Sequence, residues 1–157
     1  MDVYLVRHGE ARPEGQDPQR PLTPLGRETV ERVARRFAAL EPRLERVYHS
    51  GILRAQQTAE ILASQLGGSP PVQERDGLRP LDEVEPVAEW LLGQLRDDAA
   101  VALVGHLPFL ERLASRLVAG DESRQVLTLP AAGMVKLVPK QDADGFTIAW
   151  EIAPELA

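Results

Sequence analysis

The chain has 157 residues, 43% of them hydrophobic and 27% charged, with a formal net charge of −6 and no cysteine. That length is one domain, 1–157, able to bury about 68–70% of its unfolded surface. The composition excludes disulfides, thiolate metal sites and cysteine catalysis, and its acidity argues against a general nucleic-acid surface.

Asp2-Val3-Tyr4-Leu5-Val6 is an apolar, β-prone run that leads straight into Arg7-His8-Gly9, with Glu10 and Ala11 following. It predicts a strand with a histidine at its carboxyl end, the edge of an open α/β sheet where ligands bind. Residues 12–22 are rich in Pro, Gly, Gln, Asp and Arg and read as an exposed loop. Thr23-Pro24 starts a helix, a hydroxyl cap followed by proline at the first helical position. Val30, Val33, Ala34 and Phe37 carry it to about Leu40, and Pro42 ends it.

Arg46 to His49 reads as a second strand, with Ser50-Gly51 opening the next helix. Ile52, Ala55, Ala59, Leu62 and Leu66 mark its buried face before Gly67-Gly68 stops it. A weak strand at 71–73 and an amphipathic helix over 84–95 follow. Ala99 to Gly105 is uninterrupted and apolar, as a central parallel strand buried on both faces should be. It ends at Gly105-His106, and Leu107-Pro108 begins a fourth helix through Leu117. Val126 to Leu129, Met134 to Val138 and Phe146 to Ile152 predict three more strands, joined by turns at 130–133 and 142–145. Strands alternating with helices imply an α/β three-layer sandwich, a mostly parallel central sheet with helices on both faces.

Separate strand-to-helix junctions thus bring Arg7, His8, Arg54 and His106 to one sheet edge. These residue types suit phosphoryl transfer. A neutral imidazole can attack phosphorus, guanidinium forks match phosphate oxygens, and a second imidazole can share the charge. A metal is not expected, because Arg7 and Arg54 would repel a divalent cation and the histidine spacing matches no zinc pattern.

Four blocks carry a family resemblance: Arg-His-Gly-Glu-Ala at 7–11, Arg-Pro-Leu-Thr at 20–23, Ser50 through Ala59, and Val104-Gly105-His106-Leu107-Pro108. In this order they resemble the histidine phosphatase superfamily, whose fold is phosphoglycerate-mutase-like. Length and the Arg-Pro-Leu-Thr block are similar to its short bacterial branch, the SixA-type phosphohistidine phosphatases. The resemblance implies that His8 attacks phosphorus and forms a phosphohistidine, which water hydrolyses. It implies that Arg7, Arg54 and Arg20 bind phosphate oxygens, that His106 donates to the transition state, and that Gly9 lies against the substrate. No cofactor is implied.

Two departures accompany it. The family's Ser-Pro before the second helix is Ser50-Gly51 here. Where many members carry a glutamate acid, this chain reads Asp76-Gly77-Leu78-Arg79-Pro80. A missing acid favours N–P over O–P bonds, since a ring nitrogen leaves more easily than an alkoxide. Asp17 is the best substitute acid, with Asp82 and Glu83 weaker. The resemblance therefore implies a phosphohistidine phosphatase acting on a histidine phosphotransfer domain, with inorganic phosphate as product and no nucleic-acid or membrane partner. The alternatives are a phosphatase of small phosphomonoesters and a non-catalytic phosphate-binding module.

Other residues read more simply. His49 should pack or hydrogen-bond a loop, and Glu10 should line or support the pocket, kept ionised by Arg7. Gln57 and Thr58 read as helix surface and packing, Arg32, Arg35 and Arg36 as a solvated face, Trp90 and Trp150 as core. The short N-terminal apolar stretch is no signal peptide, and with the absent cysteines it gives the expectation of a cytoplasmic protein.

Overall fold

The computed structural model describes residues 1–95 and 98–157. Six strands form one sheet in the order β3-β2-β4-β1-β5-β6. These are β1 (Asp2–Arg7), β2 (Leu44–His49), β3 (Val72–Glu74), β4 (Ala100–Gly105), β5 (Met134–Pro139) and β6 (Phe146–Ile152). The pairs among β3, β2, β4 and β1 are parallel, and β5 joins β1 and β6 antiparallel. The helices are α1 (Pro24–Ala38), α2 (Leu53–Gln65), α3 (Glu85–Leu92) and α4 (Phe109–Ala119).

Hydrophobic burial on both faces fixes the layers. On one face Val30, Val33 and Phe37 of α1 and Ala55, Ala59 and Leu62 of α2 cover Tyr4, Val6, Ala102 and Val104. On the other, Val87 and Leu91 of α3 and Phe109, Leu110 and Leu113 of α4 cover Val3, Leu5, Val101 and Leu103. β4 is buried at all six positions, as its unbroken apolar sequence requires. The α/β three-layer sandwich with a mostly parallel sheet is the architecture observed.

Local signals set the element starts. Thr23 caps α1, its hydroxyl accepting from the Gly26 N–H at 2.9 Å. Gly120 ends α4 in the left-handed region, at φ 75°. α2 begins at Leu53 rather than at Ser50-Gly51, and α3 ends at Leu92 rather than Leu95.

One expected strand is corrected. Val126 to Leu129 pairs with no strand, although Leu127 and Leu129 are buried while Thr128 is exposed. The period-2 burial was legible, but the Leu129 backbone bonds side chains instead: its N–H donates to Glu111 Oε2 and its carbonyl accepts from Arg7, both at 2.9 Å.

Candidate active site

The register of β1 on β4 places Arg7 opposite Gly105, so His8 and His106 leave adjacent parallel strands at the same level. Their ring centroids are 5.1 Å apart. The backbone of His8 is held on both sides: its N–H donates to the Gly105 carbonyl at 3.0 Å, and its carbonyl accepts from the Ala132 N–H at 3.1 Å. The turn expected at 130–133 therefore clamps the end of β1.

Hydrogen bonds define the state of each imidazole. His8 Nδ1 lies 2.7 Å from the Gly9 carbonyl. A carbonyl only accepts, so Nδ1 carries the proton and Nε2 keeps its lone pair. Arg54 Nε donates to that Nε2 at 3.3 Å. Burial pushes the His8 imidazole down to about 4; the Gly9 carbonyl opposes this, and Arg54, Arg7 and Arg20 reinforce it. His8 is thus a neutral imidazole beside cations at pH 7, with its lone pair on Nε2.

His106 is 1% exposed and pushed down to about 3, first by burial, then by His8, Arg54, Arg20 and Arg79. Its Nε2 lies 2.6 Å from Ser50 Oγ, which itself accepts from the Ile52 N–H at 3.2 Å. A ring that accepts from Ser50 at Nε2 carries its proton on Nδ1, which is then a donor facing away from Ser50. That Nδ1 is buried and has no partner among the described residues, and the same holds for Arg7 Nε. A buried donor left unpaired costs about 1–3 kcal/mol. Both unpartnered nitrogens belong to neighbours of His8: the Arg7 charge acts on it, and the His106 ring lies beside it. A third unpaired donor, Arg75 Nε, belongs to a guanidinium stacked 3.7 Å over the Trp90 ring.

The remaining residues fall into place around this pair. Arg20 is near enough for its charge to act on His8, Arg54 and His106; its own Nε donates to the Arg12 carbonyl at 3.1 Å, and its φ is +49°. Gly9 has both peptide groups engaged within the protein, its carbonyl by His8 and its N–H by Thr58 Oγ1 at 3.1 Å. Its contribution is to hold His8 rather than to offer an N–H to substrate. An added Cβ there would also meet Val30 Cγ2 at 2.6 Å, so glycine lets α1 pack on the motif.

The candidate acids lie in turns. Asp17 Oδ1 accepts from the Gln19 N–H at 3.0 Å, Asp82 Oδ2 accepts from the Arg79 N–H at 2.9 Å, and Glu83 is exposed. The charges that act on His8 are arginines. Glu10 accepts from Thr23 Oγ1 at 2.7 Å, a support for the cap of α1. His49 Nδ1 accepts from the Gly51 N–H at 3.0 Å, the loop hydrogen bond expected of it.

Sequence reasoning missed three contributors. Thr58 is fully buried, as packing would have it, but its hydroxyl also donates to the Arg54 carbonyl at 2.8 Å while accepting from the Gly9 N–H. Gln57 Oε1 accepts from the Leu22 N–H at 2.8 Å, tying the 12–22 loop to α2. Arg79 acts on His106 from a segment whose Leu78 carbonyl lies 3.4 Å from where a Gly105 Cβ would be. Only the register of neighbouring elements reveals these contacts. The i, i+4 spacing of Arg54 and Thr58 was the one local clue.

A family model for the histidine phosphatase superfamily (branch 1) matches residues 3–84, just over half of the chain. An uncharacterized protein of Picosynechococcus sp. is 37% identical over 142 residues, which cover 87% of this chain and 84% of that protein. Phosphohistidine phosphatase SixA of Escherichia coli is 29% identical over 156 residues, 98% of this chain and 94% of its own. The structure of the protein histidine phosphatase SixA complexed with tungstate superimposes with a TM-score of 0.85 at 26% identity, covering 98% of this chain and 97% of that one. The fold is accordingly phosphoglycerate-mutase-like, and the chain is a hydrolase that belongs to the histidine phosphatase superfamily, alongside its SixA-type branch.

Proposed function

We propose that this chain is a metal-independent phosphatase that uses His8 as nucleophile and dephosphorylates phosphohistidine on a protein, such as a histidine phosphotransfer domain. The observation that carries this is the His8 Nε2 lone pair, set against Arg54 Nε and accompanied by two buried nitrogens, Arg7 Nε and His106 Nδ1, without partners among the described residues. The transition state of phosphoryl transfer spreads charge over three equatorial oxygens, so fixed donors matter more than proton chemistry.

In this reading Nε2 attacks phosphorus as the bond from phosphorus to the substrate nitrogen breaks. The departing imidazole takes a proton from water. A second water then attacks the phosphohistidine, releasing inorganic phosphate and restoring His8. Arg7, Arg20 and Arg54 bind the oxygens, and neutral His106 donates from Nδ1. The arginine-dominated surroundings of His8 and the turn contacts of Asp17 and Asp82 support an N–P substrate, whose leaving group needs no strong acid. The SixA relatives support it also. The absent cysteines accord with a cytoplasmic site of action.

The test compares turnover of a phosphohistidine peptide with a phosphomonoester panel, using His8→Ala as control. Wild-type protein should prefer the phosphohistidine substrate and form an acid-labile, base-stable phosphoenzyme that His8→Ala lacks. A preference for esters would move the substrate to small phosphorylated metabolites. Oxyanion binding without turnover of any donor would leave a phosphate-binding module.

A further inference from the structure

The stretch 125–130 has no regular structure, yet Leu129 within it is 1% exposed. Its backbone is held on both sides of its Cα, through the N–H it shares with the Thr128 peptide and the carbonyl it shares with Pro130. The N–H donates to Glu111 Oε2 at 2.9 Å, and the carbonyl accepts from Arg7 Nη1 at 2.9 Å. Glu111 stands in the first turn of α4. The same turn is tied to the second histidine, since the His106 carbonyl accepts from the Leu110 N–H at 2.9 Å.

We infer that Glu111 is a positioning residue for Arg7, acting through the Leu129 backbone, from its N–H across Cα to its carbonyl. The Leu129 carbonyl fixes one terminal nitrogen of the Arg7 guanidinium, and the planar fork then sets the direction of Nε and the other terminal nitrogen. A carbonyl in a segment without strand partners among the described residues is only as well placed as the backbone on either side of it: the Leu129–Pro130 peptide has no N–H of its own, so the hold comes across the Leu129 Cα. The Glu111 carboxylate supplies the other polar contact, on the N–H side. One helix start thus organises both anion donors, His106 directly and Arg7 at one remove. The inference rests on the reading of Arg7 as a ligand of the phosphoryl group.

A simpler role competes with it. An acidic residue in the first helical turn favours a helix through its charge alone, without any effect on Arg7. The two roles separate on substitution. Glu111→Gln loses the charge but keeps an oxygen that can accept from Leu129, whereas Glu111→Leu keeps the bulk and loses both.

The experiment measures kcat/KM on the phosphohistidine substrate, the inhibition constant of orthovanadate, the thermal midpoint, and the Arg7 Nε–H signal in 1H–15N spectra. Glu111→Leu should weaken vanadate binding and kcat/KM on the order of 10- to 100-fold. It should also shift or broaden the Arg7 signal. Glu111→Gln should restore all three to within about threefold of wild type or to the wild-type signal. On an Arg7→Ala background, Glu111→Leu should add little further loss. An unchanged Arg7 signal in Glu111→Leu overturns the inference, as does a Glu111→Gln variant no better than the leucine one. Wild-type protein that binds no vanadate overturns the phosphoryl-pocket reading instead, while the Arg7 signal still decides the positioning role.

Discussion

At the scale of the residue, the candidate site holds two histidines that burial keeps neutral. His8 is fixed as the Nδ1–H tautomer by the Gly9 carbonyl, and His106 shares that tautomer when its Nε2 accepts from Ser50. Each ring is discharged by burial first; the arginines add to this at His8, and at His106 the His8 ring comes before the arginines. Both were visible in the sequence as histidines at strand ends, but the pairing with Ser50 was not, because it joins residues 56 positions apart. The sign of the pH effect follows directly. A nucleophile with its pKa lowered to about 4 stays unprotonated through pH 5, so kcat/KM should hold there and fall only near pH 4. An NMR titration of the His8 ring nitrogens checks this free of substrate ionisation, and an inflection near the ordinary 6.5 would contradict it.

At the scale of the element, function sits where strands hand over to helices, and the packing of those junctions decides which residues are replaceable. Gly26 of α1 lies so close to the first junction that an added Cβ would meet the Glu10 carbonyl. Thr58 of α2 links the same junction to Arg54, bonding Gly9 with one lone pair and donating to the Arg54 carbonyl. Periodicity placed α2 and its buried face correctly, since Ala55, Ala59 and Leu62 sit in the core. It could not show that a threonine on that face would bond the histidine motif of β1. The stretch at 126–129 failed for a related reason: alternation reports burial, and only a neighbour at the right distance turns it into a strand. Thr58→Val keeps the shape and leaves the Gly9 N–H unpaired. It should cost about 1–3 kcal/mol in urea denaturation and lower kcat/KM at unchanged substrate preference. Wild-type stability in that variant would remove Thr58 from the frame that holds His8.

At the scale of the whole molecule, an acidic chain of net charge −6 gathers Arg7, Arg20, Arg54 and Arg79 at one sheet edge around two uncharged imidazoles. The strand order that achieves this, β1 beside β4 and β2 beyond, was not readable from any one segment. Helix and strand periods gave the layers, and the four sequence blocks gave the residues. The arrangement has a consequence for global stability. Unfolding returns both histidines to an ordinary value of 6.5, from about 4 and about 3 in the fold. Between those values the unfolded chain binds more protons, so stability rises with pH there. The contribution is fully present above pH 6.5 and is lost as pH falls through the folded values. From pH 7.5 to 5.5 each histidine accounts for at most about 1.3 kcal/mol, an upper limit for His8, which keeps some contact with solvent. Urea denaturation at the two pH values should show a loss of about 2–3 kcal/mol from this pair in the wild type. A His8→Asn, His106→Asn double variant should lose less over the same interval by about that amount. If both proteins lose the same stability, the two imidazoles are not held neutral by the fold. The acid limb of activity would then have to come from another group.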